Sequence, residues 1–294
     1  MKISVVIPVF NKETTVEKCL LSVIEQSSPV SEVIVINDGS TDNSGEVIQG
    51  VIASTNQVKI KYIEQKNQGV SAARNLGIKN SIGDFICFLD ADDIWDEHFC
   101  NCLKLLIEDY PLANIYSLHH RIKRGSKIIL PISGLPAGFR GYVDNFFRCS
   151  LRGTIVKSSK VCIRSSVFSD ESNLFPEGVV AGEDLYVWIQ VAKKGKVAFE
   201  DNVLCTVIQE EDESRGSRIN SIPYPLVFFS MKNNKLQLDF DEKNYIALIG
   251  LKHAFSDLIN LNLKSFIRRW AYVWKFSPIR ALFPFYILLA HNKC

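Results

Sequence analysis

No charge of one sign dominates this sequence: 34 Lys and Arg against 32 Asp and Glu leave a formal net charge of +2. So weak a field gives no electrostatic reason to expect nucleic acid as a partner. No pair of its eight cysteines has C-x-x-C spacing, and 294 residues is far too long for a disulfide miniprotein. Buried free thiols in a reducing cytoplasm are the expectation. No G-x-G-x-x-G follows the first apolar run and no G-x-x-x-x-G-K-[ST] occurs anywhere. The fingerprints of dinucleotide oxidoreductases and P-loop NTPases are therefore missing. There is no internal repeat and no low-complexity segment. The opening run Ile3 to Phe10 is short, contains Pro8, meets Asn11-Lys12-Glu13 and lacks a small-residue cleavage site. It is expected to be a first strand, not a secretion signal.

What is present suits a real core. Hydrophobic residues make up 47% of the chain, enough for one large α/β domain with an appendage. Ile3 to Val9 and Glu32 to Asn37 (EVIVIN) are nearly continuous apolar runs, as in strands buried on both faces of a parallel sheet. Further strands are expected over Val58 to Ile63 and Asp84 to Leu89. Between them, Val16, Leu20, Val23 and Ile24 share one helical face, with Thr14 and Glu17 at capping-box spacing. Other helices are expected through Val47 to Ile52, Ser71 to Lys79, Asp96 to Glu108 and Glu183 to Lys194, the last capped by Gly195. A hairpin turning near Arg124-Gly125-Ser126 and a strand over Ser158 to Ile163 complete the pattern. Strands alternating with helices predict an α/β, Rossmann-like, mostly parallel sheet with helices on both faces.

Such sheets bind ligands outside the carboxyl ends of their strands. The polar clusters after the four strands are Phe10-Asn11, Asp38-Gly39-Ser40, Lys66-Asn67-Gln68-Gly69 and Asp90-Ala91-Asp92-Asp93. All four are expected along one edge. Asp90 and Asp92, at i and i+2 on an extended exit, can face one small site, and their hard oxygens suit Mg2+ or Mn2+ together with the phosphates of a ligand. The competing role for Asp92 or Asp93 is an N-cap on the next helix. Asp38 can accept from the imide N–H of a pyrimidine base; the alternative is plain Asp-Gly-Ser turn chemistry. Asp42 reads as a helix N-cap. Arg74, on the helix after Asn67-Gln68-Gly69, suits a diphosphate or base carbonyl, and Asn75 beside it serves equally as a structural hydrogen bonder. Far downstream, Glu183-Asp184 opens a helix. The pair either complements the helix dipole or supplies a general base.

In their order and spacing these motifs resemble the family 2 glycosyltransferases, from Ile3 to about Ser217. The resemblance implies the GT-A fold and an inverting, metal-dependent transfer of a hexosyl or hexosaminyl unit from a UDP-sugar. SVVIPVFNKE, from Ser4 to Glu13, resembles the family's opening strand and nucleotide-contacting turn, which implies Pro8, Phe10, Asn11 and Glu13 at the donor. VIVINDGSTDNS, from Val33 to Ser44, carries Asp38 as the uracil contact. NQGVSAARN, from Asn67 to Asn75, implies Asn67 and Arg74 near the donor. GDFICFLDADD, from Gly83 to Asp93, implies Asp90 and Ala91 at the ribose or base and Asp92 at the Mn2+ or Mg2+ bridging the diphosphate. Phe175-Pro176-Glu177 followed by Gly182-Glu183-Asp184 implies Asp184 as the catalytic base. One departure stands out: where many members carry an Arg-x-His-x-x-Ser loop, Glu210 to Ser217 (EEDESRGS) is acidic, leaving Ser214, Arg215 and Ser217 to close over the diphosphate.

This reading divides the chain into a nucleotide-sugar-binding half (1–95), an acceptor and base half (96–218) and a C-terminal helical extension (219–294), with Pro223 and Pro225 marking a linker. From Asn244 to Cys294 the basic residues Lys252, Lys264, Arg268, Arg269, Lys275, Arg280 and Lys293 face Asp257 as the lone acid, with aromatic residues interleaved. That mixture is typical of interfacial helices. The uncharged stretch Ala281 to Ala290 would span only about 15 Å as a helix against roughly 30 Å of hydrocarbon. The extension is expected to dock peripherally on the inner face of the cell membrane, which suits a lipid-linked or growing glycan acceptor in surface polysaccharide synthesis. Packing on the catalytic domain, or a homodimer contact, is the alternative. Two other functions remain in play. A sugar nucleotidyltransferase would need a Gly-rich, Arg-containing loop after the first strand, which Pro8 to Glu13 is not. Asp38, Asp92 and Asp184 together argue against a non-catalytic nucleotide-sugar binder.

Overall fold

A computed structural model of the chain describes residues 1–209, 221–231, 233–234 and 237–282. Its strands are β1 (Ile3–Val9), β2 (Glu32–Asn37), β3 (Ile60–Glu64), β4 (Phe85–Phe88), β5 (Ile94–Trp95), β6 (Ala113–Arg124), β7 (Lys127–Ile129), β8 (Arg140–Tyr142), β9 (Val161–Arg164) and β10 (Lys196–Ile208). They form one sheet in the order β3-β2-β1-β4-β9-β6-β10-β5, with β7 on β6 and β8 on β10. β1 to β4 run parallel. β9 opposes both β4 and β6, and β10 returns parallel to β6. β1 thus lies between β2 and β4, so the crevice at the topological switch point opens at the carboxyl ends of β1 and β4.

Helices α1 (Val16–Ile24), α2 (Ser44–Ser54), α3 (Val70–Asn80), α4 (Phe99–Asp109), α5 (Phe146–Ser150), α6 (Glu183–Lys194), α7 (Tyr224–Ser230), α8 (Phe240–Ile259), α9 (Leu263–Phe276) and α10 (Pro278–Leu282) cover both faces. On one face Val5, Ile7 and Val35 pack with Leu20 of α1, Ile48 of α2 and Leu103 of α4. On the other, Val6, Ile34 and Phe88 pack with Ala73 of α3, Val187 of α6 and residues of the C-terminal helices. Every residue of β2 is buried, which is why EVIVIN shows no alternation of apolar and polar residues.

Several local expectations are corrected. The Thr14–Glu17 capping box does not form: the N-cap is Thr15, without a side-chain bond, and the Lys12 carbonyl accepts from Thr15 N and Val16 N instead. Neither Asp92 nor Asp93 caps α4, whose N-cap is His98. Gly195 ends α6 in extended, not left-handed, geometry; a Cβ there would run into the Asn114 side chain. Pro223 and Pro225 do not mark a free linker. They begin α7, whose Leu226 and Phe229 enter the core beneath α6.

The C-terminal helices belong to that same core through Ile246, Ile249, Val273 and Phe276. A fully buried ion pair, Arg269 Nη1 to Asp257 Oδ1 at 2.5 Å, ties α9 to α8, and Arg269 Nη2 reaches the Ser221 carbonyl at 2.8 Å. The outward face of α9 keeps Leu263, Ile267 and Trp274 exposed beside Lys264, Arg268 and Lys275. Among the described residues no helix is long and apolar enough to cross a membrane. The described cysteines are all buried and unbridged.

Candidate active site

The loops after β1, β2 and β3 are laced together by short polar side chains. Asn11 adopts a left-handed φ of 51°, a conformation Asn tolerates better than most residues. Its Oδ1 accepts from Thr41 N at 2.8 Å, and its own N–H donates to Ser40 Oγ at 3.1 Å. Glu13 extends the clasp: Oε2 accepts from Asn43 N at 2.9 Å, and Glu13 N donates to Asp42 Oδ2 at 3.1 Å. The N-cap of α2 is Asn43 and not Asp42 as expected; Asp42, one residue earlier, takes the Ser44 amide on Oδ1 at 3.0 Å. Phe10, 44% exposed, leaves its ring open on this edge. Val6 O accepts from Leu89 N and Val9 O from Asp38 N, so Pro8 faces the β4 side. The ladder to β4 ends at Val6, so the N–H that proline lacks is not needed there.

Asp38 is almost wholly buried, 3% exposed. Its Oδ1 accepts from Gln65 Nε2 at 2.6 Å and Gln68 N at 2.9 Å, and its Oδ2 from Gly69 N at 2.8 Å. The carboxylate therefore shapes the loop that leads into α3. A carboxylate has about four acceptor positions, so one remains on Oδ2. Gly39, at φ 70°, is required by close approach: a Cβ would lie 2.8 Å from Asn67 N. Asn67 is exposed on the loop so held.

At the crevice, carboxylates converge on one guanidinium. Arg74 is 4% exposed on α3. Its Nη2 donates to Asp90 Oδ1 at 2.8 Å and Ser158 Oγ at 3.4 Å, and its Nη1 to Glu183 Oε1 at 3.3 Å. The Phe175 ring lies 5.1 Å beneath it. Burial works against its charge, but Asp90, Glu183 and Asp184 outweigh that and raise its pKa above the usual value. Ser158 Oγ also reaches Asp184 Oδ2 at 3.4 Å, while Asp184 Oδ1 accepts from Leu185 N at 2.7 Å. Asn75 pins the loop on this wall, bonding both the N–H and the carbonyl of Phe175 and reaching Glu177.

The turn after β4 holds the remaining acids. Asp92 Oδ2 receives Lys12 Nζ at 2.9 Å, with both side chains about a quarter exposed (27% and 25%). Ala91 is buried between Asp90 and Asp92. Asp93 points inward, accepting from Ser159 Oγ and from Ile208 N at 2.8 Å. Burial first, then the neighbouring Asp90 and Asp92, pushes its carboxyl up to about 8. Among the described residues no group of three or more His, Cys, Asp and Glu is arranged to hold a metal. The donor set on the open side is one or two hard carboxylates, Asp92 and Asp90. That is the kind of donor set a magnesium-type ion uses when its other ligands are water and phosphate; here Asp92 pairs with the Lys12 ammonium.

The structure therefore gathers Asp90, Asp92, Arg74 and Asp184 around one crevice, with Asp38, Asn67, Phe10 and Asn11 on adjoining loops. Asn11 and Glu13 spend their side chains on the neighbouring loop. Lys12, Ser158, Ser159 and the pairing of Glu183 with Arg74 have no sequence signal of their own: no spacing rule connects partners 80 or 109 positions apart. The acidic segment Glu210 to Ser217 lies outside the described residues.

Comparison with known proteins agrees with this geometry. Residues 4–158 match the model of glycosyl transferase family 2. An uncharacterized glycosyltransferase of Rickettsia conorii is 34% identical over 207 residues, 70% of this chain and 32% of that protein. Glycosyltransferase GlyA of Streptococcus pneumoniae is 42% identical over 122 residues, 40% of this chain and 17% of GlyA. The chain spans about a third or less of the length of three Rickettsia relatives that it matches. The crystal structure of S. aureus TarS 1–349 in complex with UDP-GlcNAc superposes with a TM-score of 0.71 at 19% identity, over 96% of this chain and 83% of that one, and so shares its fold. With the family model covering more than half of its length, this chain belongs to the family 2 glycosyltransferases.

Proposed function

We propose that the chain moves a hexosyl or hexosaminyl unit from a UDP-sugar to an acceptor hydroxyl with inversion, on a lipid-linked or growing surface glycan. The observation that carries this reading is the single hydrogen-bonded network through Arg74 and Ser158. It joins Asp90, at the strand end where a nucleotide diphosphate would lie, to Asp184 on α6. The complex of the similarly folded TarS with UDP-GlcNAc supports the donor class. Phe10 offers a face for a base and Asp38 the remaining lone pair for an imide N–H.

In the proposed reaction Asp184 takes the proton of the acceptor hydroxyl as that oxygen bonds to the anomeric carbon. The bond from that carbon to the diphosphate breaks, and its electron pair leaves with the nucleotide. Arg74 holds the carboxylates in place and keeps the crevice from accumulating unpaired negative charge. Asp92, with Asp90 beside it, would hold Mn2+ or Mg2+, which neutralises charge on a departing diphosphate. Mass detection of products from a panel of nucleotide sugars tests this reading. Turnover of a uridine-linked donor is expected; no transfer or hydrolysis of any donor, despite binding, would leave a nucleotide-sugar binder. Formation of a nucleotide sugar from a triphosphate would instead favour a nucleotidyltransferase.

Membrane docking is part of the proposal. The exposed face of α9 alternates Leu263, Ile267 and Trp274 with Lys264, Arg268 and Lys275, the composition of a helix lying in an anionic lipid interface. A cytoplasmic enzyme held there would meet a lipid-linked acceptor.

A further inference from the structure

A cavity of about 120 Å³ lies between α8 and the segment following α5, against the first turn of α6. Ile155, Leu185 and Ile249 give it apolar walls, Tyr245 and Ser150 add polar groups, and Lys252 stands at its edge. Its position relative to Asp184 is informative. Leu185 directly follows Asp184, and the Tyr245 phenol is pushed well up by burial and then by the Asp184 charge. Asp184 also meets Ser158, which meets Arg74 and through it Asp90. The first turn of α6 thus borders the cavity through Leu185 and the strand-end network through Asp184.

The polar lining is incomplete as it stands. Ser150 is 3% exposed, yet its Oγ is buried without a hydrogen-bond partner. A ligand oxygen would supply the partner this hydroxyl lacks. The Ser150 hydroxyl and the Lys252 ammonium together present donors and positive charge. α8 also lies beyond residues 4–158, the part common to the family, where specificity for a particular acceptor would be expected to reside.

We propose that this cavity is an acceptor subsite, taking a sugar unit that carries an anionic oxygen group, a carboxylate or a phosphate ester, next to the hydroxyl presented to Asp184. The inference rests on the glycosyl-transfer reading above. The apolar walls and Tyr245 contact the C–H face of the ring, while Ser150 and Lys252 meet the anionic group.

Saturation-transfer NMR on the full chain with UDP bound tests it, using methyl glucuronide, methyl glucoside 6-phosphate and neutral methyl glucoside as probes. The charged glycosides are expected to receive saturation and the neutral one far less, and the stronger of the two charged probes identifies the group. Lys252→Gln should weaken the charged probes about tenfold, as loss of a charge-assisted hydrogen bond does. Ile249→Trp, which fills the cavity, should abolish their signals while UDP affinity stays within twofold of wild type. Should that variant fail to fold, Lys252→Gln and Ser150→Ala decide alone. Equal signals from neutral and charged probes, charged signals indifferent to these substitutions, or silence from every glycoside while UDP binds would each overturn the subsite. Failure of UDP itself to bind would instead strike the donor reading.

Discussion

Replacing Arg74 by methionine probes the centre of the site while keeping the length of the side chain over Phe175. Arg74 gives Nη2 to Asp90 at 2.8 Å and Nη1 to Glu183 at 3.3 Å from a position only 4% exposed. Removing one member of a buried ion pair costs about 3–5 kcal/mol, because the partner is left charged and unsolvated. Asp90 is about a third exposed (34%), whereas the Glu183 side chain is 10% exposed, so the lower end, about 3 kcal/mol, is expected. At about 2–4 °C per kcal/mol for a domain of this size, the thermal midpoint should fall by roughly 6–12 °C. Most of the loss should come from the Glu183 carboxylate, the more buried of the two acids. The double variant Arg74→Met/Glu183→Gln should therefore regain about half of it, although Glu183→Gln alone destabilises. Calorimetric scans of the four proteins complete the cycle. A fall below about 2 °C for Arg74→Met, or strict additivity in the double variant, would refute the view that Arg74 neutralises this cluster.

Lys160, fully buried and donating to the Thr154 carbonyl at 2.9 Å, has its pKa lowered to about 7 by burial. The unfolded lysine holds its proton up to about 10.5 and the folded one releases it near 7, so its penalty is full below 7 and fades as pH rises to 10.5. Lys160→Met should thus gain midpoint over wild type at pH 7 and lose that advantage by pH 10; parallel pH profiles would contradict it. Because the Lys12 ammonium occupies Asp92, Lys12→Met should bind Mn2+ several-fold more tightly without nucleotide, as read by electron paramagnetic resonance; an unchanged affinity would mean that the two cations do not compete. Ile267→Glu with Trp274→Glu on α9 should abolish co-sedimentation with anionic vesicles at low salt, and a wild-type chain that stays in the supernatant would end the membrane proposal.

The parallel half of the sheet was legible because β1, β2 and β4 are buried on both faces, and such strands are written as unbroken apolar runs. The four polar exits follow from that, and the structure puts them on one edge. Less legible was what each polar side chain does there. Asp38 ends a strand in a turn sequence, yet three N–H groups of the next loop take up most of its oxygens. Asp92 and Asp93 are adjacent and chemically alike, but one turns outward to Lys12 and the other inward to Ser159. The pairing of β5 with β10 and the Ser158–Lys160 turn beside β4 decide which. Pro223 and Pro225 suggest a linker but in fact open α7; that Leu226 then enters the core depends on the groove left by α6 and α8, which no local pattern records.

The central claim is that Asp184 is the base of a glycosyl transfer whose donor binds at the strand ends. It is tested most directly by measuring UDP affinity and donor turnover together in wild type and Asp184→Asn. The account predicts UDP binding unchanged within about twofold and turnover lower by about two orders of magnitude or more, since a general base acts in the transition state. A variant that keeps its turnover, or one that loses UDP binding along with it, would contradict the account.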